Sequence, residues 1–154
     1  MISFEVKEFS AQLPPLGRLL GLDLGSTTIG LAMTDERRQI SSPLQTIIRS
    51  KFTKDATTLK ELITKHNICG LVLGYPLNMD GSEGPRCQST RQFVRSLNSP
   101  LPVLFWDERM SSMVVNRMMT DEADLSRQRR AELVDKLAAS YILQGVLDSM
   151  AKGR

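Results

Sequence analysis

The sequence predicts an α/β domain built on a mixed five-stranded sheet flanked by helices. Two patterns carry that prediction. Three short apolar runs, at 18–24, 29–34 and 44–48, follow one another through tight turns, as an antiparallel meander does. Two further runs, at 69–74 and 102–106, alternate with helical stretches, as parallel additions to the same sheet do. The 154 residues suit one domain, and a chain of that size needs no disulfide or metal staple to fold.

Taken in order, residues 1–17 end in the breaker cluster Pro14-Pro15-Leu16-Gly17. They are expected to form a flexible N-terminal arm, with the ordered domain over 18–150. The first run, Arg18 to Leu24, is apolar after Arg18 except for Gly21 and a carboxylate near its end, Asp23. Gly25-Ser26-Thr27-Thr28 supplies a turn, and Ile29 to Thr34 returns as the second strand of a hairpin. Pro43 opens the third strand. Within 54–66, Leu59, Leu62 and Ile63 recur at helical spacing. Cys69 to Gly74 reads as a strand covered on both faces. A loop from Tyr75 to Arg86 contains Asp80-Gly81 and Gly84-Pro85, both turn signals. Phe93, Val94 and Leu97 share a helical face within 87–98. Pro102 to Trp106 forms the fifth strand, with Trp106 packing at its end. Asp107-Glu108-Arg109 follows, and Ser111 or Ser112 can cap a helix reaching Met119. The basic residues Arg127, Arg129 and Arg130 precede a last helix over 131–150.

Composition excludes several function classes. The net charge of +3 permits a polyanionic partner without demanding one. Aromatic residues make up 5% of the chain, too few for a broad base-stacking platform. Two cysteines, Cys69 and Cys87, make no disulfide framework. The one histidine, His66, sits at the end of a polar helix, which removes the usual zinc sites and any histidine-based triad not built on His66 itself. No apolar window is long enough to span a membrane, and the N-terminus lacks the apolar core of a signal peptide. A cytoplasmic protein is expected.

Three carboxylates stand where a core belongs. Asp23 ends an apolar strand and Glu108 directly follows another. Asp135 leads a stripe on the last helix that continues through Ala139, Ile142 and Val146. Any one of them, taken alone, is as readily a cap or a salt-bridge partner. Together, strand ends and an overlying helix can bring them close, and carboxylates so gathered repel unless a cation compensates. An all-oxygen set selects Mg²⁺ or Mn²⁺. Such a set suits in-line attack on a phosphodiester between two ions roughly 3.5–4 Å apart.

The segments GLDLGSTTIGLAMTD (21–35), LVLGYPLNMDGSEGPR (71–86), FWDERMSS (105–112) and VDKLAASYILQGVLD (134–148) resemble the YqgF family, also called RuvX. The resemblance covers almost everything from Arg18 to Asp148. It implies an RNase H-like fold and a metal-dependent nuclease acting on structured nucleic acid, with catalytic, metal-holding acids at Asp23, Glu108 and Asp135. It further implies processing of the ends of the small-subunit ribosomal RNA precursor, and so contact with the ribosome. Resolution of Holliday junctions in branched DNA is the alternative. This chain departs from the family in the first hairpin turn, where Thr27 and Thr28 stand in place of a basic pair. The hydroxyls of Ser26, Thr27 and Thr28 remain available to phosphate oxygens.

Beside that resemblance, the Tyr75–Arg86 loop offers Asn78, Ser82 and Arg86 to a nucleic-acid strand, just before a helix N-terminus. It reads equally as a turn-rich connector closed by local hydrogen bonds. Arg109 stabilises leaving-group charge or pairs with Asp107. Arg86, Arg91 and Arg95 recur at spacings that let them share a helix face. Two other classes compete. GLDLGSTT resembles the first phosphate loop of sugar kinases and actin-like ATPases, but those need a second domain that this chain is too short to hold. A non-catalytic nucleic-acid-binding factor is the other. Nothing in the sequence separates a monomer from a homodimer, although a homodimer suits a four-way junction by symmetry.

Overall fold

The structure is a computed structural model and describes residues 2–78, 80–107 and 127–152; over 127–136 it describes the backbone alone. The elements are β1 (Ile2–Ser3), α1 (Val6–Ala11), β2 (Arg18–Leu24), β3 (Thr28–Thr34), β4 (Ser41–Ile48), α2 (Phe52–Lys65), β5 (Ile68–Tyr75), α3 (Pro85–Leu97), β6 (Val103–Asp107) and α4 (Arg127–Lys152). The strands form one sheet in the order β1-β6-β5-β2-β3-β4. Strands β2, β3 and β4 pair antiparallel, while β5 joins β2, and β6 joins β5, in parallel. That is the expected division into a meander and parallel additions.

The strand count is corrected from five to six. The sixth is β1, whose Ile2 and Ser3 pair in parallel with Val103 and Leu104 at the sheet edge. The expectation of a flexible arm over 1–17 therefore misses how this segment is used. Helix α1 buries Phe9 completely. Arg38 fastens the breaker cluster behind it, donating from Nη1 to the Gly17 carbonyl at 2.9 Å and from Nη2 to the Pro14 carbonyl at 2.7 Å. Gly70 on β5 explains why the arm can lie so close: a Cβ there would stand 2.9 Å from Leu13 Cδ2 and 3.0 Å from Phe9 Cζ.

Strand alternation divides the core in two. Leu20, Leu22, Ile29, Leu31, Leu71, Leu73, Val103 and Phe105 face α2 and α3, which contribute Leu59, Cys87, Phe93 and Leu97. Leu19, Ala32, Val72 and Leu104 face α1 and α4, which contribute Phe9, Ala139, Ile142, Leu143 and Val146. Strands β5 and β6 feed both clusters, which is why their sequences are continuous apolar runs rather than alternating ones. Trp106 packs at the strand end as expected, with its ring about one van der Waals contact from the space beside Gly145.

Helix α4 packs on β2, β3 and β4. It is already helical at Arg127, before the expected start near 131, so Arg127, Arg129 and Arg130 lie inside it rather than before it. The helix is tied to β4 by Ser41, whose hydroxyl donates to the Ser140 carbonyl at 2.8 Å and whose N–H donates to Gln144 Oε1 at 3.1 Å. Among the described residues, no helix is long and apolar enough to cross a membrane.

Candidate functional site

Asp23 is the next-to-last residue of β2, half-buried, and lies directly opposite Gly30 in the antiparallel ladder. Leu20 and Leu22 belong to the α2/α3 side and Leu19 to the α4 side. Alternation therefore puts Asp23, with Leu19 and Gly21, on the face that α4 covers. Two small residues make room there. Gly30 has no side chain to set against the carboxylate. Gly21 lets α4 come down onto the strand, since a Cβ at Gly21 would lie 3.2 Å from both the Ala139 carbonyl oxygen and Leu143 Cβ.

Asp135 stands on α4 one helical turn before Ala139, the residue whose carbonyl touches Gly21. The inward stripe expected to follow it is present: Ala139, Ile142 and Val146 are each at most 1% exposed. The Asp135 side chain lies outside the described residues. So do Glu108 and Arg109, together with the expected helix over 111–119. Asp107, their described neighbour, ends β6 opposite Tyr75 of β5. Among the described residues there is no group of three His, Cys, Asp or Glu side chains able to hold a metal ion. The described carboxylate that belongs to the expected set, Asp23, offers hard oxygen ligands at a strand end. Carboxylate oxygens are the hard ligands that Mg²⁺ and Mn²⁺ take.

The first hairpin turn is closed by Gly25 N–H donating to the Thr28 carbonyl at 2.8 Å. Ser26 and Thr27 are exposed on it, whereas Thr28 is the first residue of β3 and pairs with Ile48, so the strand begins one residue earlier than expected. Two arginines brace this turn. Arg86, from the first turn of α3, donates from Nη2 to the Leu24 carbonyl at 3.3 Å. Arg49, just past β4, donates from Nη1 to the Gly25 carbonyl at 2.7 Å, and its own N–H donates to the Thr27 carbonyl. Between them opens a cavity of about 210 Å³ that Ser26, Ser89 and Thr90 also line. Among the described residues neither guanidinium has a carboxylate partner. Arg49 was missed by the sequence reading. It sits in no motif, and only the β3–β4 register, which brings the end of β4 back to the turn, could have pointed to it.

The loop after β5 closes largely on itself. Asn78 Nδ2 donates to Ser82 Oγ at 3.0 Å, and Ser82 donates from its N–H and hydroxyl to Asp80 Oδ1 at 2.9 and 2.6 Å. Asn78 and Ser82 are thus partnered with each other, as a connector would have them. Arg91 parts company with Arg86. It donates from Nη2 to Glu83 Oε1 and from Nε to the Tyr75 hydroxyl, both at 2.5 Å, while Tyr75 donates to the same Glu83 oxygen at 2.8 Å. These two donors hold the Glu83 carboxyl below its usual range. The cluster pins the far end of the loop to α3.

Comparison with known proteins follows the same lines. The sequence model of the family RuvX, described as Holliday junction resolvase, matches residues 17–149. A protein of Cereibacter sphaeroides named "Putative pre-16S rRNA nuclease" is 55% identical over 152 residues, 97% of this chain and 94% of its own length. One of the same name from Rhodobacter capsulatus is 55% identical over 98% of this chain and 96% of its own length. Among solved structures, Thermus thermophilus RuvC in complex with a Holliday junction superposes with a TM-score of 0.52 at 12% identity, over 87% of this chain and 96% of that one. Fowlpox virus resolvase with its Holliday junction DNA gives 0.51 at 13% identity, over 86% and 98%. At such identities the likeness is one of fold, the RNase H-like fold.

Proposed function

This chain belongs to the RuvX family, and from that premise we propose that it is a metal-dependent endonuclease on structured nucleic acid that processes the ends of the small-subunit ribosomal RNA precursor. The name shared by relatives 55% identical over nearly the whole chain supports the substrate. The observation that carries the chemistry is the position of Asp23, on the α4 face of β2, two residues beyond the point where α4 touches the strand.

In this reading Asp23, Glu108 and Asp135 hold Mg²⁺ or Mn²⁺, as a pair of ions, which when bound neutralise charge on the scissile phosphate. Asp23 anchors the site because a strand in mid-sheet cannot shift. Ser26 and Thr27 offer exposed hydroxyls to the adjoining phosphate, and Arg86 holds the turn that carries them while presenting its remaining donors. Arg109 adds positive charge at the leaving oxygen. Asn78 and Ser82 shape the loop over the strand by bonding each other. The enzyme works in the cytoplasm.

The test is a cleavage assay on precursor ribosomal RNA and on a four-way DNA junction in parallel, with Mg²⁺, with Mn²⁺ and with excess EDTA. Wild type should cut the RNA and lose activity in EDTA, and Asp23→Asn should be inactive with an unchanged circular dichroism spectrum. Preferential cutting of the junction would move the substrate to branched DNA. Cleavage by Asp23→Asn, or in EDTA, would remove the metal mechanism.

A further inference from the structure

The cavity between Arg49 and Arg86 does not end at the hairpin turn. A second, shallower hollow of about 550 Å³ continues from it, sharing Arg49 and Ser89 and running past Phe52, Gln88 and Gln92 to Ser96. The two make one groove along the exposed side of α3, on the face of the sheet opposite α4. From Ser89 to Ser96 it follows about 10 Å of helix.

Its chemistry is uniform. Gln88, Ser89, Gln92 and Ser96 are exposed, uncharged side chains at helical spacing; Ser89 donates to the Pro85 carbonyl and Gln92 Nε2 to Ser96 Oγ, which leaves the glutamine oxygens, their second amide protons and the hydroxyl lone pairs for a ligand. Phe52 is half-buried at the wall, edge-on to Phe93 with ring centres 5.4 Å apart. Arg49 stands where the two hollows meet, its guanidinium 5.8 Å from the Phe93 ring centre. Arg49 and Arg86 each donate one side-chain bond to a backbone carbonyl and so keep several of their five donors. Positive charge at the mouth, neutral polar groups along the floor and a half-buried aromatic ring at the wall suit a single strand. A duplex is too wide for hollows of this size, and an unpaired strand stacks and hydrogen-bonds through groups a duplex hides.

We propose that this groove carries an unpaired nucleic-acid strand away from the scissile position, with one phosphodiester seated between Arg49 and Arg86 and the next nucleotide against Phe52. The proposal rests on the nuclease reading above and adds a substrate class to it: structured nucleic acid with a single-stranded extension. It also accounts for the missing basic pair in the hairpin turn. The cations that serve that corner come from the end of β4 and the start of α3 instead.

The experiment measures fluorescence anisotropy of labelled RNA hairpins, blunt or with a 5′ or a 3′ single-stranded extension, in EDTA so that binding is read without turnover. Wild type should bind one extended hairpin about tenfold more tightly than the blunt one. Arg49→Gln should lose most of that preference and lower the log–log salt slope by about 0.7. Arg49 also braces the turn, so Gln92→Glu is the second variant: on an exposed helix surface it leaves the fold alone and puts a negative charge in the groove. It too should remove the preference. Equal binding of blunt and extended hairpins by wild type, or an undiminished preference in Gln92→Glu, would overturn the proposal. The two readings fail separately. A preference that survives in a protein which cuts nothing removes the nuclease, and cleavage with no preference removes the groove.

Discussion

Asp23 and Gly30 stand directly opposite each other in the β2–β3 ladder, so the residue facing the carboxylate brings no side chain to compete with it. The pairing makes a cheap probe of the site. Gly30→Val places a β-branched side chain beside Asp23 without removing any ligand. Displacing a reacting group by about 1 Å can cost about 10²-fold in rate. We expect cleavage to fall by that order while nucleic-acid binding in EDTA holds. Unchanged turnover would mean that the space before Asp23 is not used by the reaction.

Ligand linkage gives an activity-free version of the same question. A cation that binds only the folded chain raises its melting temperature by mass action. Mg²⁺ or Mn²⁺ should raise the melting temperature of wild type and leave that of Asp23→Asn nearly still. The same rise in both, read by differential scanning fluorimetry, would place the ion away from Asp23.

The N-terminal segment belongs to the core, and Phe9 is its anchor. The ring is fully buried against Leu19 and Val72 in the cluster beneath α4. Truncating a buried Phe to Ala costs about 3–5 kcal/mol. At this chain length that corresponds to roughly 2–4 °C of melting temperature per kcal/mol. Phe9→Ala and a deletion of residues 2–12 should each show a large loss in thermal melting. A deletion that melts like wild type would restore the picture of a free arm.

The contrast between Phe9 and Asp23 shows where sequence reasoning reached. Asp23 is legible because a carboxylate interrupts an apolar run, and the division into meander and parallel strands is legible because turn length differs between hairpins and crossovers. β1 is not, since two residues have no periodicity and their pairing with β6 is a tertiary fact. The α1 segment was masked by the breaker cluster behind it, whose disorder signal Arg38 overrides with hydrogen bonds from 21 or more residues away. The start of α4 was read late because Arg and Gln favour helices without leaving an apolar stripe. Arg49 was invisible because its role depends on register alone. Glu108, Arg109 and the Asp135 side chain fall outside the described residues; of the acid set expected from sequence, the structure describes Asp23 in full and Asp135 by its backbone.

Gly21 sets how closely α4 approaches the strand that carries Asp23. A methyl group there would meet the Ala139 carbonyl oxygen and Leu143 Cβ, both at 3.2 Å. One of these is backbone and cannot rotate aside, so the helix or the strand must give by a few tenths of an ångström. Overpacking of this kind costs about 1–3 kcal/mol. Gly21→Ala should lower the denaturation midpoint in urea with an unchanged slope, and should lower cleavage more than a distant substitution of equal cost such as Ile47→Val. Matched losses in the two variants would show that helix height does not matter to the site.

Asp35, in the turn between β3 and β4, supplies the clearest pH dependence. Its Oδ1 accepts hydrogen bonds from the backbone N–H groups of Ile40 at 3.0 Å and Gln39 at 2.8 Å. The Ile40 bond above all holds its carboxyl below the usual range, against a smaller opposing effect of desolvation. A carboxyl depressed in the folded state contributes stability that is fully present above its unfolded pKa, about 3.9. That stability is lost as pH falls through the lower, folded value. Asp35→Asn removes the titration but keeps an oxygen acceptor. The variant should therefore melt below wild type at pH 7, and the two melting temperatures should converge as the pH drops under 4. A gap that stays constant down to pH 3 would show that the Asp35 charge contributes nothing to the turn.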